Sequence, residues 1–292
     1  MKIFSLYEKC TDSVVVALGR FDGLHLGHQK VVSRAVESAK SSGAKVALFT
    51  LKKRENAQSQ ILSFKETVEK AARFGVDVVI FADETPQFFD TDRDVFLKTL
   101  FDNFSPIALF FGEDYTFGKG RLGTADYLAR YCVTRGVTFE KVSLLYMGGE
   151  KVSSTTIKKY LEAGETVKAA KMLGGEYFMS GVVEKGRGDG RKMGFPTANI
   201  TPDGTKMHIR EGVYKTTVMV DGKFYKAVTS IGTAPTFGEN DLKCESFVIG
   251  FDGELYGKQI FVFYHEFLRD NIKFDTKEQL EEQIRKDLRI YD

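Results

Sequence analysis

Val14-Val-Val-Ala-Leu-Gly-Arg-Phe-Asp-Gly-Leu-His-Leu-Gly-His28 decides the fold of the first half of the chain. Val14 to Leu18 is an unbroken apolar run ending at Gly19, the form of a strand buried on both faces of a parallel sheet. Beyond His28, Val31, Val32, Ala35, Val36 and Ala39 recur at helical spacing until Ser41-Ser-Gly43 stops them. Lys45 to Thr50 then reads as a second strand. Strand, glycine turn, helix and strand in that order make a βαβ unit. Its turn lies at the carboxyl end of the first strand, where α/β folds bind ligands.

The alternation continues outward. Phe64 to Phe74 reads as a helix, Asp77 to Phe81 as a strand, Asp92 to Phe101 as a helix and Ile107 to Phe111 as a strand. Ala125 to Arg135 follows as a helix closed by Gly136, then Thr138 to Val142 as a strand. This pattern predicts an α/β, Rossmann-like domain: a mostly parallel sheet with helices on both faces and right-handed crossovers. Thr50 to Ser63 lacks periodicity and carries Lys52-Lys-Arg-Glu-Asn56, which reads as a mobile loop over the binding edge. Ser153-Ser-Thr155 opens a short helix to about Glu162, and Thr166 to Leu173 makes another.

Near Gly174-Gly175 strands take over: Tyr177 to Val183, Gly212 to Val220, Phe224 to Ile231, Cys244 to Phe251 and Gln259 to Phe267. Val220-Asp-Gly-Lys223 and Phe251-Asp-Gly-Glu254 have the form of hairpin turns. Together these predict a small antiparallel β-barrel. A terminal helix, Lys277 to Leu288, is capped after Asp275-Thr276. The expected domains are 1–173 and 174–292.

Composition agrees with two ordinary globular domains in 292 residues, each large enough for its own core. A net charge of +2 gives no global electrostatic case for nucleic acid or an acidic membrane. Cys10, Cys132 and Cys244 are widely spread and in no metal-type spacing, so they read as free thiols in a reducing compartment. The first ten residues lack the apolar core of a signal peptide, and no apolar run approaches the length of a membrane span. The expectation is a cytoplasmic protein.

Two stretches carry chemistry. Gly186-Arg-Gly-Asp-Gly-Arg-Lys-Met-Gly-Phe-Pro-Thr-Ala-Asn199 sets four glycines among two arginines and a lysine. Glycine lets backbone N–H groups turn toward an anion, and the basic side chains add charge. Thr197 and Asn199 are hard oxygen donors of the kind that suit Mg²⁺, which shares its shell with waters and substrate phosphates. The bland alternative is a glycine-rich surface loop leading into a strand. In the first half, His25-Leu-Gly-His28 places two imidazoles on one helical face. Half of a metal site, hydrogen-bonded helix-start residues, and donors to a phosphate at a helix N-terminus are the three readings open to it.

Pro196-Thr-Ala-Asn199 resembles the signature of riboflavin kinases, and the whole chain resembles the bifunctional bacterial riboflavin kinase/FAD synthetases. Gly19-x-Phe-Asp-Gly-x-His-x-Gly-His28 is similar to the first motif of their nucleotidyltransferase domain, Phe111-Gly-Glu-Asp-Tyr-Thr-Phe-Gly118 to the second, and Val152-Ser-Ser-Thr-Thr-Ile-Lys158 to a third. The resemblance implies ATP-dependent phosphorylation of riboflavin to FMN in the C-terminal domain. It implies adenylylation of FMN to FAD, with release of pyrophosphate, in the N-terminal one. By it, His25 and His28 act on the α-phosphate, and Gly19, Phe21, Asp22, Gly27, Ser153, Ser154, Thr155 and Lys158 bind ATP at the first site. At the second site Gly188, Gly190, Lys192, Gly194 and Thr197 bind ATP, and Thr197 and Asn199 hold Mg²⁺.

Glu245, in Cys244-Glu-Ser-Phe-Val-Ile-Gly-Phe-Asp-Gly-Glu-Leu-Tyr-Gly257, is the implied general base; Asp114 and Arg269 are the implied flavin contacts. Leu268-Arg-Asp-Asn-Ile-Lys-Phe274 matches a family segment near the flavin, and Ile231-Gly-Thr-Ala-Pro-Thr-Phe237 resembles another, with Ala234 for arginine. Lys158 stands where the family has arginine, and Leu51-Lys-Lys-Arg-Glu replaces its Pro-His-Pro-like turn. Two alternatives therefore accompany the bifunctional reading: a riboflavin kinase whose first domain adenylylates weakly or not at all, and a non-catalytic nucleotide or flavin sensor.

Overall fold

The computed structural model describes residues 1–53, 59–184, 197–233, 242–274 and 276–291. The chain packs as two compact units, Met1–Ser154 and Thr155–Asp292.

Unit 1 is built on a six-stranded parallel sheet in the order β1-β4-β3-β2-β5-β8. The strands are β1 (Lys2–Ser5), β2 (Val14–Leu18), β3 (Lys45–Lys52), β4 (Val78–Asp83), β5 (Ala108–Gly112) and β8 (Thr138–Val142). Short pairs β6 (Thr116–Phe117) with β7 (Gly123–Thr124), and β9 (Tyr146–Met147) with β10 (Glu150–Lys151), form two small hairpins. Successive residues of β2 face opposite ways, so its apolar run serves two cores. Val14, Val16 and Leu18 meet α4 (Arg93–Phe104) and α5 (Ala125–Arg135), while Val15 and Ala17 meet α1 (Leu26–Ser42) and α2 (Phe64–Arg73). A one-turn helix, α3 (Pro86–Phe89), follows β4. The doubly covered sheet is the Rossmann-like arrangement expected. After β4 the chain returns to the other side of β2 to lay down β5, so the topological switch lies between β2 and β5.

Two local readings change. The strand expected to end at Thr50 runs on through Leu51 and Lys52 into the stretch read as a loop, and Thr50 and Leu51 are buried. Gln60, Ile61, Leu62 and Ser63 are buried too, and Ser63 caps α2 in a reciprocal capping box with Glu66. Residues 54–58 of that stretch lie outside the described residues.

Unit 2 starts with α6 (Ser154–Glu162), apart from its first residue, and α7 (Thr166–Leu173). Its antiparallel sheet runs β11-β16-β13-β14-β15-β12, with β11 (Tyr177–Val182), β12 (Thr197–Ile200), β13 (Gly212–Val220), β14 (Lys223–Thr233), β15 (Leu242–Val248) and β16 (Gln259–Arg269). Just past β11, Glu184 bridges Asn199 of β12, its N–H donating to the Asn199 carbonyl at 2.8 Å. The first and last strands thus meet and the sheet curls into a barrel.

Val220 pairs with Lys223 across Asp221 (φ 49°) and Gly222 (φ 77°), the left-handed pair a tight hairpin turn requires. Phe251-Asp-Gly-Glu254, read as a second hairpin, is not one: β15 pairs with β14 and β12, and β16 with β13 and β11. Inside the barrel, Thr216 donates to the Ala227 carbonyl (3.0 Å), leaving its oxygen to Thr229 (2.7 Å), which in turn is bonded to Ser246 (2.8 Å). α8 (Lys277–Leu288) carries Asp287, whose carboxylate grips Arg269 through Nε at 3.0 Å and Nη2 at 2.6 Å. Among the described residues no helix is long and apolar enough to cross a membrane.

Candidate functional site

In unit 1 the site grows from the turn between β2 and α1. Phe21 (φ 48°), Gly23 (φ 82°) and Leu24 (φ 42°) all take left-handed backbone. Held there, a non-glycine residue costs of order 1–3 kcal/mol, and such strain clusters at binding sites. A Cβ on Gly19 would stand 3.1 Å from the Phe21 ring, so glycine lets that ring fold over the strand end. Asp22 accepts the Ile61 N–H at Oδ1 (2.8 Å), and its carbonyl accepts the Ser154 hydroxyl (2.8 Å).

The turn delivers His25 as the N-cap of α1, its Nδ1 accepting the His28 N–H at 3.3 Å. The two imidazoles stack with centroids 3.6 Å apart, 18° from parallel, and the Phe21 ring meets His28 edge-on at 5.1 Å. Gly27 sits under them; a Cβ would come within 3.3 Å of the His25 ring. Burial pushes His25 down to about 4, helped by Lys70 and Lys151 and opposed by Asp114. Burial, the His25 ring and Lys70 likewise hold His28 well below the usual histidine range. Both rings are therefore neutral at pH 7. Because Nδ1 of His25 accepts, its proton sits on Nε2, where it is available to an anion. Among the described residues no cluster of three or more His, Cys, Asp or Glu offers a metal site, so nothing there completes a metal site around this pair.

Asp114 follows β5 across the switch point and pairs with Lys151 at 2.5 Å. Ser153 and Ser154 stand where α6 begins, and the dipole at a helix N-terminus favours phosphate. Thr155 and Lys158 continue on α6 and fall in unit 2. Lys70 was not singled out by sequence reasoning, and Asp114, expected as a flavin contact, was not expected to pair with Lys151. An ordinary helical lysine carries no local mark of what it faces.

In unit 2 the register places Asn199 directly opposite Glu245, Thr197 opposite Phe247, and Ala198 opposite Ser246. Ala198, Ile200, Cys244 and Ser246 are buried toward the barrel interior, so Thr197, Asn199 and Glu245 share the other, half-buried face. Ser230 of β14 lies opposite Glu245, and its hydroxyl is bonded to Asn271 (3.2 Å). The segment 268–274 therefore approaches this face through Asn271, while Arg269 is engaged with Asp287 and the Asp270 carbonyl. The Thr197 hydroxyl and the Asn199 amide are hard oxygen donors that fit a divalent cation with phosphate ligands, and the Glu245 carboxylate stands on the same face beside them. Gly186, Gly188, Gly190, Lys192, Gly194 and Pro196, with Ala234 to Phe237, lie outside the described residues.

The comparisons follow the same division. The FAD synthetase family model matches residues 7–156, and the riboflavin kinase family model residues 173–292. The bifunctional riboflavin kinase/FMN adenylyltransferase of Listeria monocytogenes is 32% identical over 283 residues, covering 94% of this chain and 90% of its own. Its counterpart in Bacillus subtilis is 30% identical over 285 residues, with the same two coverages of 94% and 90%. A crystal structure described as a macrolide-efflux protein from Streptococcus pneumoniae superposes with a TM-score of 0.86 at 27% identity, over 99% of this chain and 98% of that one. Both halves are matched, so neither a silent first domain nor a sensor without catalysis gains support. From both matched halves and these full-length likenesses, the chain belongs to the bifunctional riboflavin kinase/FMN adenylyltransferase family.

Proposed function

We propose that this chain makes FMN from riboflavin and FAD from FMN, with the roles that follow. The kinase reading rests chiefly on the pairing of Asn199 with Glu245 across β12 and β15. Glu245 takes the proton of the ribityl 5′-hydroxyl as its oxygen bonds to the γ-phosphorus of ATP, and ADP leaves. Thr197 and Asn199 hold Mg²⁺, which draws charge from the phosphates when bound. Gly188, Gly190, Lys192, Gly194 and Thr197 cradle those phosphates, and Arg269 acts on the flavin from beside Asp287.

At the first site an FMN phosphate oxygen attacks the α-phosphorus of ATP and pyrophosphate departs. His25, through Nε2–H, and His28 donate to the crowded α-phosphate as charge builds there. Gly19, Phe21, Asp22 and Gly27 shape the turn around ATP; Ser153, Ser154, Thr155 and Lys158 hold its outer phosphates, and Asp114 contacts flavin.

Function divides near Leu173: residues 174–292 carry the kinase, with α6 and α7 as its support, in a cytoplasmic enzyme that needs no nucleic acid. Incubation of the full chain and of a 174–292 fragment with riboflavin and Mg-ATP, then chromatography of the flavins, tests this. FMN and FAD from the full chain and FMN alone from the fragment are expected. Absence of FAD from the full chain overturns the first site, and an inactive fragment overturns the division at Leu173.

A further inference from the structure

The strained turn that presents His25 is braced on several sides. Ile61 N–H and the Ser154 hydroxyl hold Asp22, Gln29 Nε2 donates to the Leu24 carbonyl at 2.9 Å, and Lys70 Nζ donates to the Gly23 carbonyl at 3.1 Å. The donors of the first three braces are neutral. Lys70, reaching across from α2, brings a full positive charge to the floor of a site for polyanionic ligands, and no role above accounts for it. Gly23 packs closely on Ile61: a Cβ there would meet that side chain at 3.0 Å.

We propose that Lys70 is a positioning residue for adenylyl transfer, its ammonium pinning the Gly23 carbonyl and so fixing the turn from which His25 and His28 face the nucleotide. This rests on the reading of the first site given above. The charge has a second effect on the same rings. His25 is faced by Lys70 from α2, Lys151 from β10, Asp114 from the loop after β5, and His28 from its own helix. His28 is faced by His25, Lys70 and the Phe21 ring. Burial is the main force against protonation of both imidazoles, and Lys70 adds to it.

The test uses the full chain, with Lys70→Met removing the charge at similar length and Lys70→Arg retaining it. Lys70→Gln replaces Lys70→Met if that variant does not melt cooperatively. FAD formation, FMN formation and the NMR titration of the His25 and His28 Cε1 protons are measured. Loss of the pinned turn should lower kcat for FAD about 10-fold or more, with FMN formation unchanged. Lys70→Arg should restore kcat to within about threefold of wild type. The His25 midpoint in Lys70→Met should move up from about 4 toward the ordinary 6.5. A Lys70→Met protein with unaltered kcat for FAD, or with an unmoved His25 midpoint, overturns the proposal. If the wild type makes no FAD, the first-site reading fails separately, and the histidine titration alone decides whether Lys70 acts on the rings.

Discussion

Gly27→Ala should separate stability from activity in unit 1. Gly27 does not occupy left-handed backbone, so its lack of a side chain answers to its neighbours. A Cβ would stand 3.3 Å from His25 Cε1 and Nδ1 and 3.6 Å from the Val152 carbonyl oxygen. Backbone cannot yield easily, so the ring must move by a few tenths of an ångström. The ring is stacked on His28 at 3.6 Å, and its Nδ1 accepts the His28 N–H at 3.3 Å, already long for such a bond. A small pivot therefore breaks the cap, costing about 1 kcal/mol. Replacing glycine by alanine inside a helix returns about 0.8–1.0 kcal/mol. The two nearly cancel, and the melting of unit 1 should barely change.

Catalysis has no such compensation. A 1 Å misplacement costs about 10²-fold, so a shift of a few tenths of an ångström should lower kcat for FAD formation several-fold, up to about 10-fold. FMN formation by the same protein serves as the internal control. FAD synthesis within about twofold of wild type would refute the placement of His25 at the reacting phosphate.

Glu245→Gln should lower riboflavin phosphorylation about 10²–10⁴-fold while flavin still binds; near-normal FMN formation by the variant would remove Glu245 as the base. Thr229→Val breaks the Thr216–Thr229–Ser246 hydroxyl chain inside the barrel and should cost about 1–3 kcal/mol, read from chemical denaturation of unit 2. A cost near zero would mean that water or a rotamer change re-satisfies the two remaining hydroxyls. His25 sets a pH dependence of stability. With a folded pKa of about 4 against an ordinary 6.5, the unfolded chain takes up the proton first. Stability is full above pH 6.5, is lost as pH falls from 6.5 to 4, and the loss levels off near 3 kcal/mol, roughly, below that. In His25→Gln this acid loss should shrink, as denaturation at pH 7.5 and 4.5 would show.

Much of the fold was legible where local signals and packing agree. Ala125–Arg135, Thr166–Leu173 and Lys277–Leu288 emerge with the bounds read from sequence, because a cap or a glycine marks their ends. β1 was missed: four residues, the first two exposed, carry too little pattern to stand out. Phe251-Asp-Gly-Glu254 misled because an Asp-Gly pair specifies a reversal of the chain without saying which strand comes next. At the second site, a two-residue period was enough to put Thr197 and Asn199 on one face, whereas their union with Glu245 depends on a pairing between strands far apart in sequence. At the first site the histidines and glycines lie in one short run. Lys70, Lys151 and Asp114 reach them from α2, β10 and the loop after β5, and no window of sequence contains all three.

The barrel's strand order also implies an order of assembly. β13 and β14 are joined by a two-residue turn and pair from Val220–Lys223 to Gly212–Ile231, contacts that form locally and early. β16 must return across a longer connection to cover β13, and β11 then adds to β16. β12 is only four residues long, pairs with β15 along its length and, among the described residues, meets the other edge at the bridge between Glu184 and Asn199. Its docking closes the ring, so it should come last and be the first step to reverse. The strand that bears Thr197 and Asn199 is thus the barrel's most readily opened seam. Nucleotide bound there would act as a clasp, slowing exchange of the β12 and β15 amides well beyond the residues it touches.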